Sequence, residues 1–123
     1  ADLDSAEAVI CIGMGVGSAE AIAELDELRD LLGAQYICTR DVVEAGWMPK
    51  QLQVGLTGRS IAPSVYLAVG VRGDFNHTVG IQRAACVVAV NNNRRASFFR
   101  QSDIGVLADW REFIPELLRA LRQ

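Results

Sequence analysis

The chain has 123 residues, half of them hydrophobic, with 12 basic side chains against 15 acidic ones for a formal net charge of −3. That length fits a single domain, 1–123, able to bury roughly two thirds of the surface its unfolded chain exposes. No apolar run approaches the ~20 residues that span a bilayer, no basic segment followed by an apolar stretch opens the chain, and the arginines are scattered, so neither membrane insertion nor a nucleic-acid partner is expected.

Residues 1–7 are small and polar and read as a lead-in. Ala8, Val9, Ile10, Cys11 and Ile12 form an apolar run of strand length, as expected of a strand covered on both faces in a parallel sheet. Gly13, Gly15 and Gly17 make a loop after it. Ser18 is placed to cap a helix whose apolar residues Ile22, Leu25, Leu28 and Leu32 recur at helical spacing until Gly33. Gly13 and Gly15 are a near miss to a dinucleotide fingerprint, and tight turning accounts for them equally well. A second strand over 35–38 leads to Thr39 and Arg40, followed by a brief helix over 41–45 that stops at Gly46 and Pro49. After a loop at Gly55 and Gly58 come a third strand over 65–69, a glycine turn, a short helix from His77 to about Arg83, a fourth strand over 86–90 and a fifth over 104–107. Asp109 precedes a last helix with Phe113, Leu117, Leu118 and Leu121 on one face. Pro115 fits its first turn, where no backbone N–H is required, and the spacing of Asp109 and Glu112 allows a capping box.

Alternating strands and helices predict an α/β three-layer sandwich with a mostly parallel, five- to six-stranded, Rossmann-like sheet. Its glycine, threonine, arginine, histidine and asparagine candidates then fall at strand carboxyl ends, where open α/β sheets bind ligands. Gly70 and Gly73, three apart after an apolar strand and ahead of a helix, suit a phosphate-bearing ligand. Cys11, Cys38 and Cys86 each lie in apolar runs and none forms a C-x-x-C pair, so buried reduced thiols and a cytoplasmic setting are expected. With one histidine, no metal site is expected. No nucleophile, acid and base constellation is legible either, so no catalytic residue is assigned.

Several ordered pieces carry a resemblance. They are Thr39-Arg40 with Asp41 and Gly46-Trp47, then Gln53-Val54-Gly55 with Thr57-Gly58, Pro63 with Tyr66, Gly70 with Gly73 and His77, and Ala89-Val90-Asn91. Together, over roughly residues 8–121, they make the chain resemble the C-terminal, FAD-binding domain of the electron transfer flavoprotein alpha subunit, a deoxyhypusine-synthase-like NAD/FAD-binding fold. The resemblance implies FAD as cofactor. It implies Arg40 over the flavin ring, where a fixed cation favours negative charge on the reduced ring, and His77 at the ring's pyrimidine end. Thr57 would donate to a ring nitrogen or ribityl oxygen. Gly70 and Gly73 would bring amides to the ribityl and phosphate region, and Asn91 and Asp109 would contact the adenosine half. Gly15, Thr39, Val54, Gly55, Gly58, Arg72, Asn76 and Trp110 complete the implied cofactor set.

Four of these positions have competing readings from the residues themselves: Arg40 as a surface partner of Asp41 or Glu44, His77 as a capping or packing histidine, Thr57 as a turn residue between glycines, and Asp109 as a helix cap. Relative to the family pattern, Met14 replaces arginine, Leu56 glutamine, Arg72 serine, and Asn91-Asn92-Asn93 an Asn-Lys-Asp run. The implied function is electron shuttling between a flavin dehydrogenase and an acceptor. A beta-like subunit, or an amino-terminal domain outside this sequence, is the implied partner, and a homo-oligomer is compatible. The alternatives are an ADP- or AMP-binding module, or a relative without redox activity.

Overall fold

The computed structural model describes residues 7–53, 63–73 and 85–123. Their strands, β1 (Ala8–Ile12), β2 (Gln35–Cys38), β3 (Val65–Val69), β4 (Cys86–Asn91) and β5 (Ile104–Leu107), form one sheet in the order β2-β1-β3-β4-β5. Every adjacent pair is parallel. The chain builds outward in one direction from β1 to β2 and in the other from β3 to β5. The order therefore reverses between β1 and β3, and a crevice opens there at the carboxyl ends of the strands. Helices α1 (Asp26–Leu32), α2 (Arg40–Glu44) and α3 (Trp110–Leu121) are joined by 3₁₀ turns at Met14–Val16, Glu20–Leu25, Lys50–Leu52 and Ser97–Gln101.

Both faces of the sheet are covered, which is why the strands read as unbroken apolar runs. Ile10, Ile12, Leu67 and Val69 meet Leu25, Leu28, Ile114 and Leu118 on one face. Val9, Cys11, Tyr66, Ala68 and Ala89 meet Phe98 on the other, with the Tyr66 and Phe98 rings 6.2 Å apart. At the edge, β5 leaves Ile104 and Leu107 exposed. Among the described residues no helix is long and apolar enough to cross a membrane.

Three local expectations are corrected. The helix after Ser18 opens as a 3₁₀ segment, Ser18 Oγ accepting from the Ala21 N–H at 3.2 Å, and becomes α-helical only at Asp26. Pro115 lies inside α3 instead of in its first turn, because Asp109 accepts the Arg111 N–H at 2.9 Å and so starts the helix well ahead of the proline. Cys86, at the first position of β4, is half-buried while Cys11 and Cys38 are buried. The helix expected after His77 lies outside the described residues.

Candidate functional site

Because the strands run parallel, the segments following β1, β3, β4 and β5 converge on one edge of the sheet. There they enclose a cleft of about 170 Å³ lined by Gly15, Gly70, Asn91, Asp109, Trp110 and Arg111, together with Val16, Val90 and Asn92. Five of the sequence-predicted residues thus meet in one place: Gly15, Gly70, Asn91, Asp109 and Trp110. The volume suits part of a nucleotide more than a whole dinucleotide.

The glycines are required first by the protein's own backbone. Gly15 N donates to Gly70 O at 3.0 Å and Gly13 N to Val69 O at 2.9 Å. A Cβ built on Gly15 would stand 2.7 Å from Gly70 Cα, and Gly70 itself has φ +68°. The loops after β1 and β3 are therefore pressed backbone to backbone, and side chains at either glycine would pry them apart. Gly73, at φ +100°, lies against Ser97 and Phe98. Ser97 Oγ is 3.1 Å from both the Arg72 and Gly73 carbonyl oxygens, which ties this loop to the Ser97–Gln101 turn. Arg72 and Gly73 do not line the cleft.

Asn91 bridges two loops, Nδ2 donating to Val71 O at 3.2 Å and Oδ1 accepting from Asn93 N at 2.9 Å. Asp109 performs the capping role weighed against a ligand role in the sequence, through Oδ1, while its residue also lines the cleft. The buried Trp110 donates its indole N–H to Val16 O at 3.3 Å, pinning α3 to the first glycine loop. Neighbouring Arg111 stacks over the Trp110 ring, 5.3 Å from its centroid, and pairs with Glu24 at 2.7 Å.

On the other side of β1, Thr39 is buried, its N–H donating to Ile12 O at 3.1 Å and its hydroxyl to Asp41. The Arg40 side chain is 59% exposed and reaches Glu44 at 3.7 Å, the surface pairing considered from sequence. Both stand at the carboxyl end of β2, outside the cleft. Val54, Gly55, Thr57, Gly58, Asn76 and His77 lie outside the described residues. Sequence reasoning did not single out Val16, Val90, Asn92 or Arg111 one by one; Val16 and Asn92 sit within the first glycine loop and the asparagine triplet that it did mark, whereas nothing marked Arg111.

Residues 2–82 match the family described as the electron transfer flavoprotein FAD-binding domain. The chain belongs to that family. It is 42% identical over 120 residues to the mitochondrial electron transfer flavoprotein subunit alpha of Oryza sativa subsp. indica, covering 98% of this chain and 34% of the relative. It is 38% identical over 117 residues to Protein FixB of Bradyrhizobium diazoefficiens, covering 95% and 32%, and 34% identical over 122 residues to electron transfer flavoprotein subunit alpha of Clostridium acetobutylicum, covering 99% and 36%. The chain thus spans about a third of the length of the curated relatives it matches. The cofactor of this family is FAD.

The residues present fit such a group. Gln53, 3% exposed and bridged to Cys38 where β2 ends, buries its amide nitrogen with no hydrogen-bond partner among the described residues. A buried donor left unpaired calls for an acceptor, and a cofactor lying along this edge of the sheet supplies carbonyl, hydroxyl and phosphate oxygens. Across the switch point, the cleft offers side chains suited to a nucleotide's sugar and phosphates.

Proposed function

We propose that this chain is the FAD-holding domain of an electron carrier, passing electrons between a flavin dehydrogenase and an acceptor as one piece of a larger flavoprotein. The observation that supports it most is the cleft at the topological switch point, assembled from the loops that the family resemblance assigns to the cofactor. When bound, the flavin supplies the redox chemistry. The chain's residues bind and orient it: Asn91 and Asp109 at the adenosine half, Gly70 and Gly73 along the phosphates, Thr57 and His77 at the ring, and Arg40 as the cation beside it. A beta-like subunit or a further domain of the same polypeptide completes the carrier, in keeping with relatives about three times as long. The thiols of Cys11 and Cys38, buried among apolar side chains, suit a reducing, cytoplasmic setting.

The test is reconstitution. Mixed with FAD and gel-filtered, the chain is expected to retain flavin absorbance and to be reduced by a chemical donor while bound. A chain that stays colourless while binding ADP would favour the second reading, a nucleotide module, which the small size of the cleft keeps in view.

A further inference from the structure

We propose that Arg111 reads ligand charge in the cleft, a phosphate group displacing Glu24 from its guanidinium; this rests on the nucleotide-binding reading above. Among the described residues that line the cleft, Arg111 is the one cation and Asp109 the one anion. At rest Arg111 Nη2 is held 2.7 Å from Glu24 Oε2, with the two side chains 53% and 52% exposed. Its guanidinium also lies over Trp110, whose indole is fixed to Val16 O. The cation is therefore carried on a rigid base at the mouth of the cleft.

An ion pair this exposed is weak because water screens it and both long side chains lose freedom in making it. A phosphate offers the planar guanidinium two parallel charge-assisted bonds and a larger negative charge. Exchange of Glu24 for phosphate is then favourable, and the stacked ring keeps the guanidinium in place during it. Among the described residues, the other charges at this point oppose anion binding: Asp109 lines the cleft and Glu24 holds Arg111. Without Arg111 the charged side chains described at the mouth would be carboxylates, which repel phosphates. Arg111 sets the sign of the site and selects phosphorylated adenine nucleotides over the bare nucleoside.

Titration calorimetry of the full chain with ADP, AMP and adenosine, at low and high salt, tests this. Wild type is expected to bind ADP more tightly than adenosine, with salt weakening ADP alone. Arg111→Gln is expected to cost ADP roughly ten- to a hundredfold, the range of a lost bond to a charged group, while adenosine is little changed. Arg111→Lys should keep part of the preference, and Glu24→Gln should tighten ADP by removing the competitor. Equal losses for ADP and adenosine in Arg111→Gln, or no loss for either, would overturn the role. If Arg111→Gln melts early, Arg111→Lys and Glu24→Gln decide: unchanged ADP affinity in both refutes the exchange. Wild type that binds adenosine as well as ADP refutes charge reading but leaves the cleft a nucleoside site, whereas wild type that binds none of the three overturns both readings.

Discussion

Gln53 and Arg40 stand at the end of β2 and make opposite demands on a ligand. The Gln53 amide is buried and has no hydrogen-bond partner among the described residues, and an unsatisfied buried donor costs about 1–3 kcal/mol. Gln53→Leu, which removes that donor at similar volume, is expected to leave the apo melting temperature unchanged or raised while weakening FAD by roughly tenfold, one hydrogen bond's worth. Paired melting curves and FAD titrations check this, and a lower apo melting temperature would mean that the amide is satisfied within the fold. Among the described residues the Arg40 side chain makes an exposed contact with Glu44 alone, so Arg40→Ala should leave stability within about 0.5 kcal/mol. It should lower the potential of bound FAD by on the order of 20–30 mV, equivalent to roughly 1 kcal/mol for a two-electron couple. Potentiometry showing no shift would remove Arg40 from the ring. Arg40 was legible as a polar residue following an apolar run, whereas Gln53 entered the sequence reading as part of the Gln53-Val54-Gly55 match and was given no ligand role. Arg111 was not legible, because an arginine in the first turn of an amphipathic helix looks like any solvated surface charge.

The central strands β1 and β3 were legible because a strand buried on both faces must be apolar throughout, and the runs at 8–12 and 65–69 coincide with them; the apolar run at 104–107 likewise marked β5, although its edge position leaves Ile104 and Leu107 exposed. The Ser97–Gln101 turn was not legible, since a five-residue 3₁₀ segment carries no period to read; only its buried Phe98 hints at it. The glycines were legible as special positions but for a different reason, the reading giving them to a ligand and the structure to each other. Gly70→Ala is therefore expected to cost about 2–4 kcal/mol, from the positive φ and from overpacking against Gly15. Gly17→Ala, also at positive φ but with open space around it, should cost about 1–2 kcal/mol. Urea denaturation separates them, and equal losses would show that the contact between the two loops contributes nothing. In α3, Pro115→Ala restores a backbone donor and removes a ring from the helix interior. A gain of about 1 kcal/mol is expected once the freer unfolded chain is discounted.

Buried acids make the whole molecule sensitive to alkali. Burial pushes the Cys38 thiol from its ordinary 9.0 up to about 12, and moves Cys11 and Tyr66 upward as well. Tyr36 is raised by burial and by its hydrogen bond to Asp26. Each group holds its proton more tightly folded than unfolded, so its contribution is complete below the unfolded value and is lost as pH rises toward the folded one. The melting temperature is expected to fall between about pH 9 and pH 12, and less steeply in Cys38→Ala over the lower part of that range. At pH 8 a thiol reagent should label Cys86 and spare Cys11 and Cys38 until the protein is denatured. The indole bond from Trp110 to Val16 spans 94 positions of sequence, and it bears on the order of events during synthesis. The walls formed by β1, β3 and β4 leave the ribosome first, yet the cleft has no closing side until Asp109, Trp110 and Arg111 have followed. On the proposed reading, a nascent chain halted before Trp110 would carry all five described strands and still hold no nucleotide, so that cofactor capture would wait for the final helix to emerge and dock.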